Sequence, residues 1–184
     1  MQLFIVRHGI AIDREDPKCP PDPERFLTEE GIEKTRQAAK GVAEIGAVPD
    51  SMFSSPYVRA AQTAEIFAAV LEYPKQKIQK TELLLPGAEP LQLFRELSKD
   101  KDNSVVFVFG HAPHLDDLIA TAVGSKHHIT ALKKAGVACS SSGAWHLRVP
   151  KSPGLLRRSS SAKLENNQQL YGALPRVREP YPGR

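Results

Sequence analysis

Short apolar runs alternate along the chain with longer stretches in which apolar residues recur every three or four positions, and that alternation predicts an α/β protein. The first run, Leu3-Phe4-Ile5-Val6, is β-branched and aromatic and stops abruptly at Arg7-His8-Gly9. It predicts a strand buried on both faces. Ser51-Met52-Phe53-Ser54 predicts a second short strand. Residues 77–85 predict a third extended segment before Pro86-Gly87, and Ser104-Val105-Val106-Phe107-Val108-Phe109 predicts the strongest strand, ending at Gly110-His111. Helices fill the intervals. Thr28 is placed to cap one that runs to about Ile45 and stops at Gly46, with Glu29 and Glu30 in its first turn and Ile32, Ala39, Val42 and Ala43 on its apolar face. Ser55 as cap and Pro56 in the first turn predict a helix to about Glu72, with Ala60, Ala64, Phe67 and Leu71 on one side. Residues 90–99 predict a short helix with Leu91, Phe94 and Leu97 inward. Ala112-Pro113 opens another, carrying Leu115, Leu118, Ile119 and Ala122 to Gly124. Beyond Lys134 an alternating, serine-rich pattern predicts a strand or hairpin over residues 136–149. The expected architecture is a three-layer α/β/α domain with a mostly parallel mixed sheet.

Three strand-to-helix junctions each carry a basic group. In open α/β sheets ligands bind at the carboxyl ends of the strands, so Arg7 and His8, Arg59 and His111 are aimed at one edge. Any polar pair can solvate a strand end, and the Arg7-His8 pair acquires weight only beside the other two junctions. Arg59 stands at the unfavourable end of its helix dipole, which leaves it solvated or sharing an anion with the helix N-terminus. The polar loop 13–24, broken by Cys19-Pro20-Pro21 and Asp22-Pro23, leaves the first strand and lets residues 25–28 fold back over that edge. Arg7, His8, Arg59 and His111 together suit a phosphoryl dianion held by three groups and attacked by one neutral imidazole. No Gly-rich phosphate loop or acidic metal cluster is evident, so no metal and no cofactor are expected.

Charge narrows the partners. The chain has 184 residues, 41% of them hydrophobic, and a net charge of +4. Residues 151–184 hold seven Lys and Arg against two Glu, so the first 150 residues are near −1. The basic pI therefore belongs to a Pro/Ser/Arg-rich end and does not indicate nucleic acid. The chain divides into a catalytic domain over residues 1–150 and a basic C-terminal segment over 151–184, with a last strand near 170–174 and frayed ends elsewhere. Two distant cysteines, Cys19 and Cys139, indicate neither a disulfide framework nor a zinc site. No signal-peptide core or membrane span is present, and a cytoplasmic protein without membrane contact is expected.

Phe4-Ile5-Val6-Arg7-His8-Gly9, the segment SSPYVRAAQTA from Ser54 to Ala64, and the segment VFGHAPHL from Val108 to Leu115 resemble the three signature blocks of the histidine phosphatase superfamily, also called phosphoglycerate mutase-like. The resemblance covers about residues 1–150. It is greatest to the small SixA-type phosphohistidine phosphatases, whose Arg-x-Leu-Thr is similar to Arg25-Phe26-Leu27-Thr28. It implies the phosphoglycerate mutase-like fold, His8 as phosphorylated nucleophile, Arg7, Arg59 and His111 as phosphate ligands, and Arg25 as a further one. Larger members carry a glutamate general acid within a helical insertion, and the nearest counterpart here is Glu82, in a step without room for that insertion. Glu82 is either that acid or a solvated carboxylate. Asp116 and Asp117, in a helix first turn, are expected only to stabilise the helix. His114, His127, His128 and His146 are expected to be surface or structural.

These observations lead to a metal-independent phosphatase acting through a phosphohistidine intermediate, with phosphohistidine on a partner protein as preferred substrate and a place in signal transduction. A small-molecule phosphomonoester phosphatase is the rival within the class. A non-catalytic module that binds phosphoproteins is the rival outside it, and it would need the arginines but not His8.

Overall fold

The computed structural model describes residues 1–97 and 104–141. In chain order the elements are β1 (Gln2–Arg7), α1 (Glu29–Glu44), β2 (Ser51–Ser54), α2 (Val58–Val70), β3 (Gln79–Lys80), α3 (Pro90–Leu97), β4 (Val105–Gly110), α4 (His114–Ala122) and β5 (Val137–Ser141). Short 3-10 turns lie at Asp22–Glu24, Lys75–Lys77 and Glu82–Leu84. The strands form one sheet in the order β3-β2-β4-β1-β5. Every pairing is parallel except that of β5, which runs antiparallel to β1.

Period-two alternation along β1 and β4 explains why their sequences are apolar throughout. Leu3, Ile5, Val106 and Val108 face one side and pack with Leu93, Phe94 and Leu97 of α3 and Leu115, Leu118 and Ile119 of α4. Phe4, Val6, Phe107 and Phe109 face the other and pack with Ala39 and Val42 of α1 and Ala64, Phe67 and Ala68 of α2. Phe4 stacks on Phe107 at 4.4 Å between ring centroids, and Phe67 meets Phe109 edge-on at 5.3 Å. Each large side chain so buried contributes roughly 1.5–3 kcal/mol. A sheet between two helical layers holds β1 and β4 side by side and in register, with Arg7 opposite Gly110.

The structure corrects several expectations. The buried stripe of α1 is Gly31, Thr35, Ala39 and Val42, while Ala43, 100° further round, is exposed. Thr35 escapes a hydrophobic pattern because its hydroxyl is satisfied locally, donating to the Gly31 carbonyl at 2.6 Å. α2 starts at Val58 with Tyr57 at its N-cap, not at Pro56 with Ser55 as cap. Ser55 is drawn into the sheet instead, its N–H donating to the Phe109 carbonyl at 2.9 Å. The third extended segment shrinks to Gln79–Lys80, because the Thr81 hydroxyl accepts from Leu83 N and turns the chain into a 3-10 helix. In α3 the inward residues are Leu93, Phe94 and Leu97, and Leu91, in the first turn beside Phe94, is exposed. The expected segments 98–99, 142–149 and 170–174, with the whole of 151–184, lie outside the described residues. Among the described residues no helix is long and apolar enough to cross a membrane.

Candidate active site

The carboxyl ends of β1, β2 and β4 meet at one edge, and there a cavity of about 330 Å³ is lined by Arg7, His8, Arg25, Arg59 and His111 together with Asp22, Tyr57 and Lys134. Parallel pairing brings the residues following the two strongest strands together: His8 N donates to the Gly110 carbonyl at 3.0 Å, and the His8 and His111 rings lie 5.1 Å apart.

Gly9 follows His8 at a point of close approach. A side chain there would meet Thr35 Oγ1 at 2.4 Å, so the glycine is needed for lack of a Cβ rather than for a left-handed backbone. Its N–H donates to Thr63 Oγ1 at 3.1 Å, tying the end of β1 to α2. Its carbonyl receives His8 Nδ1 at 2.7 Å. A carbonyl only accepts, so Nδ1 carries the proton and Nε2 keeps its lone pair. Burial pulls the His8 pKa down, the Gly9 bond opposes it, and the charges of Arg59, Arg7 and Lys134 add to the lowering, leaving it at about 4. The ring is a neutral imidazole at neutral pH.

His111 is 2% exposed. Burial lowers its pKa, with the neighbouring His8 and Arg59 adding to the effect, to about 3. Its Nε2 is 2.9 Å from Ser55 Oγ, and Tyr57 packs against it at 5.2 Å between centroids. The Arg59 guanidinium lies over the Tyr57 ring, 5.0 Å from its centroid. Three side-chain nitrogens of cavity residues, Arg7 Nε, Arg59 Nε and His111 Nδ1, are buried without a hydrogen-bond partner among the described residues. Buried polar groups are ordinarily satisfied, and these three unpaired nitrogens belong to residues that line one cavity.

The other expected residues are less simply disposed. Arg25 lines the cavity, but Nε and Nη2 donate to the Ile12 carbonyl at 3.0 and 2.6 Å and Nη1 to Asp22 Oδ1 at 3.1 Å. Residues 25–28 fold back as expected, Ile12 N donating to the Phe26 carbonyl and Thr28 N to that of Ile10. Glu82 is exposed on its 3-10 turn and does not line the cavity. The cavity carboxylate is Asp22, which sequence patterning left among the breakers of a proline-rich loop. Asp116 also does more than favour a helix N-terminus: buried, it accepts from Thr130 Oγ1 at 3.0 Å and Leu132 N at 2.9 Å. The Leu132 carbonyl in turn takes Arg7 Nη1 at 2.6 Å. His114 is buried, His127 and His128 are exposed, and His146 lies outside the described residues. Among the described residues no group of three or more His, Cys, Asp or Glu is arranged to hold a metal ion.

A mostly parallel α/β/α sandwich with a cationic cavity at its carboxyl edge has the build of a phosphatase, and comparison with known proteins assigns the family. The profile of the histidine phosphatase superfamily (branch 1) matches residues 3–84. An uncharacterized protein of Picosynechococcus sp. is 32% identical over 150 residues, covering 81% of this chain and 90% of its own. The mitochondrial serine/threonine-protein phosphatase Pgam5 of Drosophila persimilis is 33% identical over 86 residues, covering 47% of this chain but 28% of its own length. The protein histidine phosphatase SixA complexed with tungstate superposes with a TM-score of 0.66 at 24% identity, over 76% of this chain and 86% of its own, which makes the fold phosphoglycerate mutase-like. The chain belongs to the histidine phosphatase superfamily.

Proposed function

We propose that the protein is a phosphohistidine phosphatase that works without a metal ion, taking the phosphoryl group onto Nε2 of His8 and acting on a phosphohistidine of a partner protein in the cytoplasm. The observation that carries the reading is the set of buried, unpaired nitrogens of Arg7, Arg59 and His111 on residues that line one cavity with an imidazole whose Nδ1 is protonated and whose Nε2 keeps its lone pair. The guanidinium groups of Arg7 and Arg59 supply the charge that neutralises the phosphoryl oxygens, and the neutral His111 ring adds a hydrogen bond. Nε2 then attacks phosphorus, an N–P bond forms, and the bond to the leaving group breaks with its electron pair. Water attacks the phosphoryl group in the second step, the N–P electron pair returns to Nε2, and phosphate leaves with the water's protons.

Leaving-group chemistry favours phosphohistidine. A phosphohistidine ring protonated on its distal nitrogen departs as neutral imidazole, whose conjugate acid has an ordinary pKa of about 6.5, whereas an alkoxide must be given a proton as it leaves. The one carboxylate that the family resemblance offers as acid, Glu82, is exposed and away from the cavity lining. A cavity of about 330 Å³ accommodates a phosphoryl group with a five-membered ring and stands near the lower end of the roughly 300–1,000 Å³ typical of ligand pockets. SixA, the protein histidine phosphatase of like fold, was captured with the oxyanion tungstate.

Rapid quenching of the protein with a phospholabelled histidine-containing phosphotransfer domain, in the presence of EDTA, tests the reading. Acid-labile, base-stable label is expected on His8 and absent from His8→Ala. Label elsewhere, or turnover that EDTA abolishes and magnesium restores, overturns the mechanism. A tenfold preference in kcat/KM for small phosphomonoesters over the labelled domain overturns the substrate.

A further inference from the structure

Arg7 and Arg59 are held in the same way. Each fastens Nη1 to a backbone carbonyl at 2.6 Å, Arg7 to that of Leu132 and Arg59 to that of Asp22, and each leaves Nε buried and unpaired. For Arg59 the clasp is double, since Nη2 also donates to Asp22 Oδ2 at 3.2 Å. A guanidinium has two edges that bind an oxyanion bidentately, the Nη1–Nη2 end and the Nε–Nη2 side. Asp22 occupies the end. The Nε of the side edge is buried and has no partner among the described residues.

We propose that Asp22 is a positioning residue, which grips the outer end of Arg59 and, through Arg25, fastens the loop before α1 against the site, so that the inner edge of Arg59 is presented to the phosphoryl oxygens. Asp22 Oδ1 accepts from Arg25 Nη1 at 3.1 Å and from Arg14 Nη2 at 3.0 Å, joining two arginines of its own loop to one on α2. The partly exposed carboxylate thus gathers three cations that would otherwise repel one another. Burial raises its pKa, but the bond from Arg25, the charge and bond of Arg59 and the bond of Arg14 outweigh it, and the group stays at about 2. An ionised Asp22 acts on the reaction through Arg59, not as a proton donor.

The proposal rests on the oxyanion site described above but not on the identity of the substrate, so tungstate serves as the probe. Calorimetric titration of the full chain with tungstate is expected to show binding at least fivefold weaker in Asp22→Ala, with KM rising in parallel. Asp22→Asn, which keeps an oxygen acceptor, is expected to fall between the two and supplies the answer if the alanine variant does not fold. In an Arg59→Ala background the same Asp22→Ala change is expected to shift tungstate affinity less than twofold, because the residue that Asp22 positions is gone. Tighter tungstate binding in Asp22→Ala would mean that the carboxylate competes with the ligand, and it overturns the proposal. So does an unchanged affinity, or an equal loss in both backgrounds. Absence of tungstate binding by the unmodified protein overturns the positioning proposal, while the phosphatase reading is judged separately by label on His8.

Discussion

His8 combines a proton fixed on one nitrogen, a lone pair on the other and a pKa far below that of a free imidazole. Each has a local cause: the Gly9 carbonyl accepts Nδ1–H, and burial with nearby cations penalises the imidazolium. A histidine with an ordinary pKa of about 6.5 would be partly protonated, and so partly inactive as a nucleophile, across the mildly acidic range. The C2 proton of His8, followed by NMR, is therefore expected to show no titration step between pH 8 and 5.5 and to shift only as pH approaches about 4. An inflection near 6.5 would mean that the ring is solvated and the cations are too distant to matter.

At the scale of elements, strand ends bring the cavity residues together and helices with their flanking loops hold them still. α4 carries Asp116, which accepts from Leu132 N, and the Leu132 carbonyl holds Arg7. The segment after α4 is thus joined to the end of β1 by a relay of hydrogen bonds, reinforced by Ala135 N donating to the His8 carbonyl at 3.1 Å. Replacing Asp116 by Ala leaves a part-buried backbone N–H unpaired, an expected cost of about 1–3 kcal/mol in stability. It also frees the Arg7 anchor, so KM is expected to rise more than kcat falls. Asp116→Asn keeps an acceptor oxygen and is expected to recover most of both. Thermal unfolding and steady-state kinetics on the two variants check this, and an Asp116→Ala variant with lower Tm but unchanged KM would confine the relay to stability.

Considered whole, the molecule keeps two neutral histidines, His8 and His111, beside cations at the rim of its core, and this makes its stability depend on pH. Their folded pKa values of about 4 and about 3 lie below the ordinary histidine value. The unfolded chain therefore binds more protons once pH drops below about 6.5. The contribution of the neutral rings to stability is fully present above that pH and is lost as pH falls towards the folded values. At about 1.4 kcal/mol per pKa unit, His8 accounts for a loss of up to about 3 kcal/mol. Tm is expected to decline between pH 6.5 and 4, and more shallowly in His8→Asn. Equal slopes in the two proteins would assign the acid sensitivity to other groups.

Much of this was determined by the sequence alone. Apolar runs too short for helices set the buried strands, periodic apolar positions set the helices, and Arg7 ends β1, His8 and His111 directly follow β1 and β4, and Arg59 stands in the first turn of the helix after β2, all at the carboxyl edge of the sheet. Only the tertiary structure decided which polar groups hold them there. Asp22 in a proline-rich loop, Ser55 beside a proline and Asp116 in a helix first turn each have a sufficient local explanation, and their partners, Arg59, His111 and Leu132, lie 37, 56 and 16 residues away. Hydrogen bonds across such separations leave no period in the sequence. The loss of Glu82 from the cavity has the same origin: Thr81 caps a turn that buries Leu84, and packing at the next residues leaves the carboxylate in solvent.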